Sequence, residues 1–202
     1  TVRLVFRRFV SLACEHLIGM QVQVTPLSGD VTLLLESGID GRVSNSGSQH
    51  FLEGDKRIYD NTILEMLSPA KDSPVVCCVH TAHRFTLGGA PFSPDILPII
   101  DRRYMSARAE CALGKGQTLT VEKLSCIHTS RDQACPAEGD AVRAYLQTSG
   151  KTLLQQALAT VYDALFETSR QQWAALWATA DIRIASARAY DQLAIRFALY
   201  HM

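Results

Sequence analysis

The sequence predicts a mainly β protein with α-helices at its C-terminal end, and two observations support this fold class. Residues 1–135 contain many short runs of alternating apolar and polar side chains, separated by turns rich in Gly, Pro, Asn and Asp. From Ala141 onward, Ala, Leu and Gln dominate, and apolar residues recur at helical spacing. Many short strands divided by turns favour an antiparallel sandwich over a parallel α/β sheet.

The strands are predicted from this alternation, beginning with the run 2–7. A hairpin is predicted over 20–36, because two alternating runs flank a turn that contains Pro and Gly. Two further strands are predicted at 74–86 and 117–128. The segment 87–101 contains three prolines and two glycines, so a loop with at most a short helix is predicted there.

Two helices are predicted to follow the sandwich. A short one, over 138–147, would end where Gly150 suits a C-terminal cap. A long one would begin at Thr152, and its apolar stripe comprises residues at spacings of four, three and four: Leu154, Leu158, Val161 and Leu165. Trp173 and Trp177 lie four residues apart, so a helix would stack them on one face.

The last part of the chain is predicted to be extended at 181–184 and then to form a helix from Arg188. Leu193, Phe197 and Tyr200 would share one side of that helix. This apolar surface is too wide for a solitary terminal helix, so we expect it to have partners on more than one side.

The domain organisation is predicted from these shifts in composition. We expect a β-sandwich domain at 1–135, a helical linker at 136–180 and the first helix of a following domain at 181–202. The chain begins at Thr1 inside a strand pattern without an initiator Met. It is therefore expected to be a piece of a larger protein.

The composition argues against several classes of partner. Twenty basic and twenty acidic residues cancel, whereas nucleic acids and anionic membranes demand a concentrated cationic surface. No apolar run is long enough to span a bilayer, and no signal-peptide pattern stands at the start. Free buried thiols in a cytosolic protein are expected for the six irregularly spaced cysteines: 14, 77, 78, 111, 126 and 135.

The segment 77–83, CCVHTAH, has a density of Cys and His that is typical of metal ligands. On a strand, however, Cys78 and His80 share one face while Cys77 and His83 share the other. Four ligands cannot converge tetrahedrally from that arrangement without help from elsewhere. We therefore expect buried or edge-strand residues here and no metal site.

Other catalytic signals are weak. No nucleophile-elbow, phosphate-loop or dinucleotide-binding motif occurs, and residues 114–116, GKG, are interpreted as a turn. Acidic residues are scattered, and their spacing selects no pair for acid–base chemistry. Both tryptophans fall in the predicted helices, where tryptophan is more often a packing anchor than a sugar platform.

The segment 37–51, SGIDGRVSNSGSQHF, is too dense in Gly, Asn, Asp and Ser for a simple chain reversal. Arg42, Asn45, Gln49 and His50 are good hydrogen-bonding residues that could face a ligand. Alternatively, the polar groups satisfy the loop's own backbone, which is the favoured interpretation.

Several segments, in order and with the right spacing, resemble the N-terminal domain of glycoside hydrolase family 65. In the sandwich they are RRFVS at 7–11, QVTPL at 23–27, the whole of 37–51, and Glu122-Lys123 followed by HTSRD at 128–132. In the helices they are Trp173, Trp177 and Asp181-Ile182, then Gln192 and Arg196-Phe197, which resemble that family's linker and the opening helix of its catalytic barrel. The resemblance extends over nearly the whole chain.

The resemblance implies a chemistry that this chain alone would not perform. Family members are mostly inverting phosphorylases of α-linked glucose disaccharides, which use inorganic phosphate to release β-glucose 1-phosphate, and a few relatives hydrolyse instead. Their general acid, a glutamate, and their phosphate-binding residues would fall after Met202. The resemblance therefore implies no catalytic residue, metal or cofactor in this chain, with phosphate as a co-substrate of the full enzyme.

The resemblance also implies an architecture: an antiparallel β-supersandwich, linker helices and the first helix of an (α/α)6 barrel. Such a fragment would scaffold and dimerise a cytoplasmic enzyme. One sandwich loop, at 37–51 or 87–101, is expected to border the pocket mouth. His201 is the one candidate substrate-binding residue, with core packing as its alternative.

One departure from the family stands at Ser186-Ala187, where Gly-Asp is frequent, and it puts local helix capping in doubt. Two rival functions remain open. The first is a hydrolase of the same family, and the second is a non-catalytic carbohydrate-binding or interaction domain.

Overall fold

The computed structural model describes residues 1–201, and Met202, the last residue of the predicted segment 181–202, lies outside the described residues. The strands are β1 (Val2–Val10), β2 (Leu17–Pro26), β3 (Val31–Asp40), β4 (Ser44–Asn45), β5 (Ser48–Gln49), β6 (Asp55–Tyr59), β7 (Ile63–Pro69), β8 (Val76–Leu87), β9 (Ala90–Phe92), β10 (Ile96–Asp101), β11 (Tyr104–Leu113) and β12 (Leu119–Thr129). The helices are α1 (Asp140–Leu158), α2 (Tyr162–Ala180) and α3 (Ala189–Tyr200).

Antiparallel pairing joins the strands into two sheets and a short ribbon. The larger sheet has the order β1-β2-β12-β8-β7-β6, with β9 paired to β8, and the smaller sheet has the order β10-β11-β3. The predicted mainly β fold with C-terminal helices is thus confirmed, as are the strands predicted at 74–86 and 117–128. The division at 135 and 180 stays a prediction.

Successive side chains of a strand point to opposite sides, and the central strands of the larger sheet are covered on both, whereas the edge strand β1 is largely exposed. One face packs against the smaller sheet through a buried apolar cluster: Val24, Phe85, Cys111, Leu113, Leu119 and Val121. The other face packs against α1 and the start of α2 through a second cluster: Phe9, Leu17, Ile63, Ala82, Leu124, Cys126, Leu154, Ala157 and Tyr162. The chain is therefore built in three layers, with the larger sheet in the middle.

The hairpin predicted over 20–36 is wrong. β2 pairs with β1 on one side and β12 on the other, so it has no free edge, whereas β3 pairs with β11 in the smaller sheet. The turn after Pro26 carries the chain from one sheet to the other. Alternation and a turn signal predict two strands, but they do not decide whether those strands pair with each other.

The loop predicted at 87–101 is also wrong, because the segment contains β9 and β10. Gly88 and Gly89 have positive φ, 58° and 86°, and form the two-residue turn of a hairpin that pairs Leu87 with Ala90. The prolines are tolerated because β9 and β10 each pair on one side only, so the missing N–H groups break no ladder.

The helix end predicted at Gly150 does not occur, since α1 continues unbroken from Asp140 to Leu158. Gly150 is buried in the helix interior, where an added Cβ would clash with the imidazole of His80. Glycine here permits a close approach between helix and sheet instead of ending the helix. The predicted apolar stripe is interrupted at Val161, which is 65% exposed and directly precedes α2.

The predicted extended segment and terminal helix are both present, and two side chains of α3 hold them together. Gln192 donates an amide N–H to the carbonyl of Ile182 at 2.9 Å and accepts the N–H of Ile184 at 3.0 Å. Arg196 makes two charged hydrogen bonds to Asp181, at 2.8 and 2.7 Å. The extended segment is therefore fixed along α3.

The N-cap residue of α3, Arg188, forms no side-chain capping hydrogen bond, but Ser186, at the departure from the family pattern, makes two contacts beside it. Its hydroxyl accepts the N–H of Arg188 at 3.1 Å and donates to the carboxylate of Asp191 at 2.6 Å. α3 itself has no buried residue, and Leu193 and Phe197 are 63% and 65% exposed. Among the described residues, no helix combines the length and apolar character needed to cross a membrane.

Replacing Gly150 by alanine is expected to lower the free energy of unfolding by about 2 kcal/mol. The new methyl group would overpack the fully buried imidazole of His80, which costs about 3 kcal/mol at so tight a contact. This loss outweighs the roughly 1 kcal/mol by which Ala is favoured over Gly in a helix interior. Denaturant unfolding followed by circular dichroism measures the difference.

Gly29→Ala is the matched control, because a Cβ at that position meets nothing within 4 Å. Its effect should stay within about 0.5 kcal/mol of zero. A Gly150→Ala protein as stable as the unchanged chain would show that α1 does not press on His80.

Candidate functional site

A polar cluster lies between β6, β7, β8 and α1 and centres on Glu65, which is fully buried together with His80. His80 Nε2 lies 2.9 Å from Glu65 Oε2, the Tyr59 hydroxyl donates to the same oxygen at 2.7 Å, and Gln147 donates to Oε1 at 2.8 Å. Burial raises the pKa of Glu65, but the hydrogen bonds, led by that of His80, outweigh it and keep the pKa below its usual value. The carboxylate is therefore charged at neutral pH, and both of its oxygens accept hydrogen bonds.

Cys78 gives this cluster the residue types of a nucleophile triad, because its Sγ lies 3.8 Å from His80 Nδ1. However, Cys78, His80 and Glu65 are all 0% exposed, and burial raises the pKa of the Cys78 thiol. Their potential ligand atoms lie within 4.8 Å of one another, yet a cation would have to displace the three hydrogen bonds on Glu65. The arrangement is suited to structure and not to chemistry on a substrate.

The strand faces predicted for 77–83 are observed. Cys78 and His80 face α1, while His83 points to the smaller sheet, where its Nε2 lies 2.8 Å from Ser37 Oγ. Sequence reasoning missed Glu65 as the partner of His80. The available signal was a lone carboxylate in the apolar strand ILEML, since a buried charge requires a partner.

A second cluster, at the end of β12, brings together His16, His128 and Asp132. The two imidazole rings stack with their centroids 4.0 Å apart and 15° between their planes. His16 Nδ1 lies 2.8 Å from the carbonyl oxygen of Ile127, and Asp132 accepts the N–H and O–H of Thr129 at 3.1 and 2.8 Å. Burial first, and then the neighbouring His16, lowers the pKa of His128.

The stacking of these rings is unfavourable for a metal site. The potential ligand atoms of His16, His128 and Asp132 lie within 4.8 Å of one another. A metal held by an imidazole nitrogen lies in the plane of the ring, so one ion cannot serve two parallel, stacked rings. Coordination would require His16 to rotate and to give up its contact with Ile127.

The segment 37–51 satisfies its own polar groups, which is the favoured alternative for this loop. Arg42 makes two hydrogen bonds to Asp40, each 2.9 Å long, and its guanidinium lies 4.1 Å from the centroid of the Tyr104 ring. The amide of Gln49 donates to the carbonyl of Gly41 at 2.9 Å. These residues are engaged within the sandwich, although a role at a pocket mouth stays a prediction.

The second predicted pocket-mouth segment, 87–101, lines a cleft of about 710 Å³ together with the β6–β7 turn. Phe92 and Asp95 of this segment line the cleft, as does Asn61 of the turn. His201 follows α3 and is exposed, with its ring centroid 4.5 Å from that of Phe197. The substrate-binding role suggested for His201 stays a prediction.

Two polar side chains of the larger sheet tie it to β3. His83 contacts the Ser37 hydroxyl, and the ammonium of Lys123 donates to the carbonyl of Gly38 at 2.6 Å. Burial lowers the pKa of His83 to about 4, and the charge of Lys123 adds to this effect. His83 is therefore neutral at pH 7, and its ring is suited to a buried hydrogen bond between the sheets.

Comparison with known proteins identifies the family of this chain, which the geometry of the two polar clusters does not. The sequence matches the family model described as glycosyl hydrolase family 65, N-terminal domain, over residues 1–176. A kojibiose phosphorylase from Halothermothrix orenii is 34% identical over 204 residues, and a kojibiose phosphorylase from Escherichia coli is 27% identical over 205 residues. These alignments cover 99% and 97% of this chain but 25% and 24% of the relatives, so the chain spans about a quarter of their length.

A solved structure from the human microbiome, provisionally described as a kojibiose phosphorylase, has a similar fold. Its TM-score is 0.82 at 12% sequence identity, and the match covers 99% of this chain and 24% of that chain. At this identity the similarity shows the fold alone.

The stability of the chain is expected to fall between pH 6.5 and pH 4 because of His83. The pKa of His83 is lowered in the folded state, so the unfolded chain binds the proton more readily throughout this range. The free energy of unfolding should decrease by about 2–3 kcal/mol as the pH falls from 6.5 to 4. The substitution His83→Gln should remove this part of the decrease. Urea unfolding at each pH measures it.

His50→Gln is the matched control, since His50 is exposed on the loop that follows β5. The His50 variant should keep the pH dependence of the unchanged chain. If His83→Gln left the decline intact, His83 would not be the residue that resists protonation.

Proposed function

Since this chain belongs to glycosyl hydrolase family 65, we propose that it forms the N-terminal part of an inverting glycoside phosphorylase that acts on an α-linked glucose disaccharide. Kojibiose is the first candidate substrate. The observation that carries this proposal is the 34% identity to a kojibiose phosphorylase, sustained over 99% of the chain. In the full enzyme, inorganic phosphate would be the co-substrate and β-glucose 1-phosphate the product.

We place the catalytic glutamate outside this chain. In the proposed reaction, an acid protonates the glycosidic oxygen while phosphate attacks the sugar from the opposite face. Within residues 1–201, Glu65 is buried and fully hydrogen-bonded, and Glu122 is paired with Arg84. These two engaged carboxylates are poor candidates for a general acid, and the chain covers only 25% of the kojibiose phosphorylase that it resembles, which supports chemistry supplied by the remaining part of the enzyme.

The role proposed for this chain is that of a scaffold. The larger sheet holds α1 rigidly, and α1 leads into α2 and α3, whose apolar face is largely exposed. We propose that the sandwich positions these helices for the barrel, contributes to a homodimer and requires no cofactor. A cytoplasmic location belongs to the same proposal and is supported by six cysteines without disulfides within residues 1–201.

The proposal predicts phosphate-dependent activity that needs the downstream sequence. The chain joined to its native continuation should convert kojibiose and phosphate into glucose and β-glucose 1-phosphate, and this 202-residue chain alone should be inactive. Anomeric proton NMR identifies the product and its configuration, because inversion of an α-linkage gives the β-anomer.

Omitting phosphate from the same reaction is the control, and it should abolish turnover. Glucose release without phosphate would instead favour the hydrolase of the same family. Turnover by the 202-residue chain alone would contradict the placement of the catalytic glutamate outside it.

A further inference from the structure

An open cleft of about 870 Å³ lies where the end of β12 meets the β1–β2 connection and α1. Its size is within the range typical of small-molecule sites. We call it the β12 cleft, and it is lined by residues of these three regions: Val10, Glu15, His16, Ile18, Ile127, Thr129, Arg131, Asp132, Gln133, Ala134 and Tyr145. None of the functions discussed so far uses it.

The lining of the β12 cleft combines apolar and polar groups. Ile18, Ile127 and the aromatic ring of Tyr145 offer apolar contact area. Arg131 and Gln133 project from the segment that follows β12 and are exposed. Apolar surface combined with a few polar groups is typical of ligand-binding clefts.

Several of the polar groups are free to bind a ligand. Within residues 1–201, Arg131 and Gln133 make no side-chain hydrogen bond, and the Glu15 carboxylate is 89% exposed, with His16 Nε2 3.8 Å away. Asp132, in contrast, is committed to Thr129 through two hydrogen bonds. The available set is therefore one guanidinium, one carboxamide, one carboxylate and one imidazole nitrogen.

The charge of this set indicates which ligand it would accept. Arg131 contributes one positive charge, while Glu15 and Asp132 contribute negative charges. The cleft as a whole therefore offers little electrostatic attraction to an anion such as phosphate. A neutral ligand with many hydroxyl groups suits it better, because each hydroxyl can both donate and accept hydrogen bonds. Its C–H groups would contact the apolar part of the lining.

We propose that the β12 cleft is a saccharide-binding site of the sandwich. Arg131, Gln133 and Glu15 would bind sugar hydroxyls, and Tyr145 would contact a sugar face. The choice of a glucose disaccharide as ligand rests on the proposed function, whereas the choice of a neutral polyhydroxylated ligand rests on the cleft.

The test is a titration of the 202-residue chain with kojibiose, followed by ¹⁵N–¹H NMR of its backbone amides. We expect saturable shifts confined to residues 129–134 and the region around His16, with Kd in the millimolar range. Inorganic phosphate is the comparison probe and should cause no saturable shift there. Absence of saturable shifts with kojibiose, or saturation by phosphate alone, would overturn the proposal.

The variant Arg131→Ala should weaken kojibiose binding at least about fivefold, because a hydrogen bond to a charged group is lost. Gln133→Ala is a second variant with the same expectation, which keeps the test valid if one variant folds poorly. Arg102→Ala is the matched control, since Arg102 is an exposed arginine in the β10–β11 turn, outside the cleft. Equal affinity in all three variants would overturn the assignment of the cleft.

The failure of this proposal is distinguishable from the failure of the proposed function. The titration uses the 202-residue chain alone, whereas phosphorolysis is assayed with the chain joined to its continuation, so the two measurements are independent. If the full enzyme lacked phosphorolysis while kojibiose still saturated the cleft, only the proposed function would fall.

Discussion

The arrangement of sheet and helices depends on the contact between Gly150 of α1 and the buried pair of His80 and Glu65. Removing a carboxylate from water costs several kcal/mol unless hydrogen bonds compensate. Here Tyr59 and Gln147 supply them together with His80, and Gln147 belongs to the same helix as Gly150. The helix must lie close enough for Gln147 to reach Glu65, and only a residue without Cβ allows that approach.

Further contacts attach the end of α1 and the start of α2 to the strands. Arg84 donates to the carbonyl groups of Leu158 and Thr160 at 2.9 and 3.1 Å, where α1 ends, so a cation stabilises the free carbonyls of the helix. α2 is then held by the hydroxyl of Ser169, which accepts the N–H of Leu12 at 3.1 Å. An edge-to-face contact between Phe9 and the first residue of α2 fixes its start.

The three helices differ in how much of their surface is buried against the sandwich, and this difference bears on the proposed scaffold. Burial of the helices decreases along the chain, from four buried residues in α1 to two in α2 and none in α3. The segment around α3 is nevertheless organised internally by Gln192 and Arg196. A preformed helix with an exposed apolar face, carried by a rigid sandwich, is the structure expected of a part that positions another domain.

The sequence by itself determined where most strands and helices lie and which faces Cys78, His80 and His83 occupy, because these follow from the local period of two or 3.6 residues. Motifs spread along the chain also gave its family. Only the tertiary structure decided that β2 and β3 belong to different sheets, that Gly150 lies inside a helix, and that Glu65 is the partner of His80. Each of these depends on contacts between residues far apart in the sequence, and no local pattern specifies which distant residue will fill a given space.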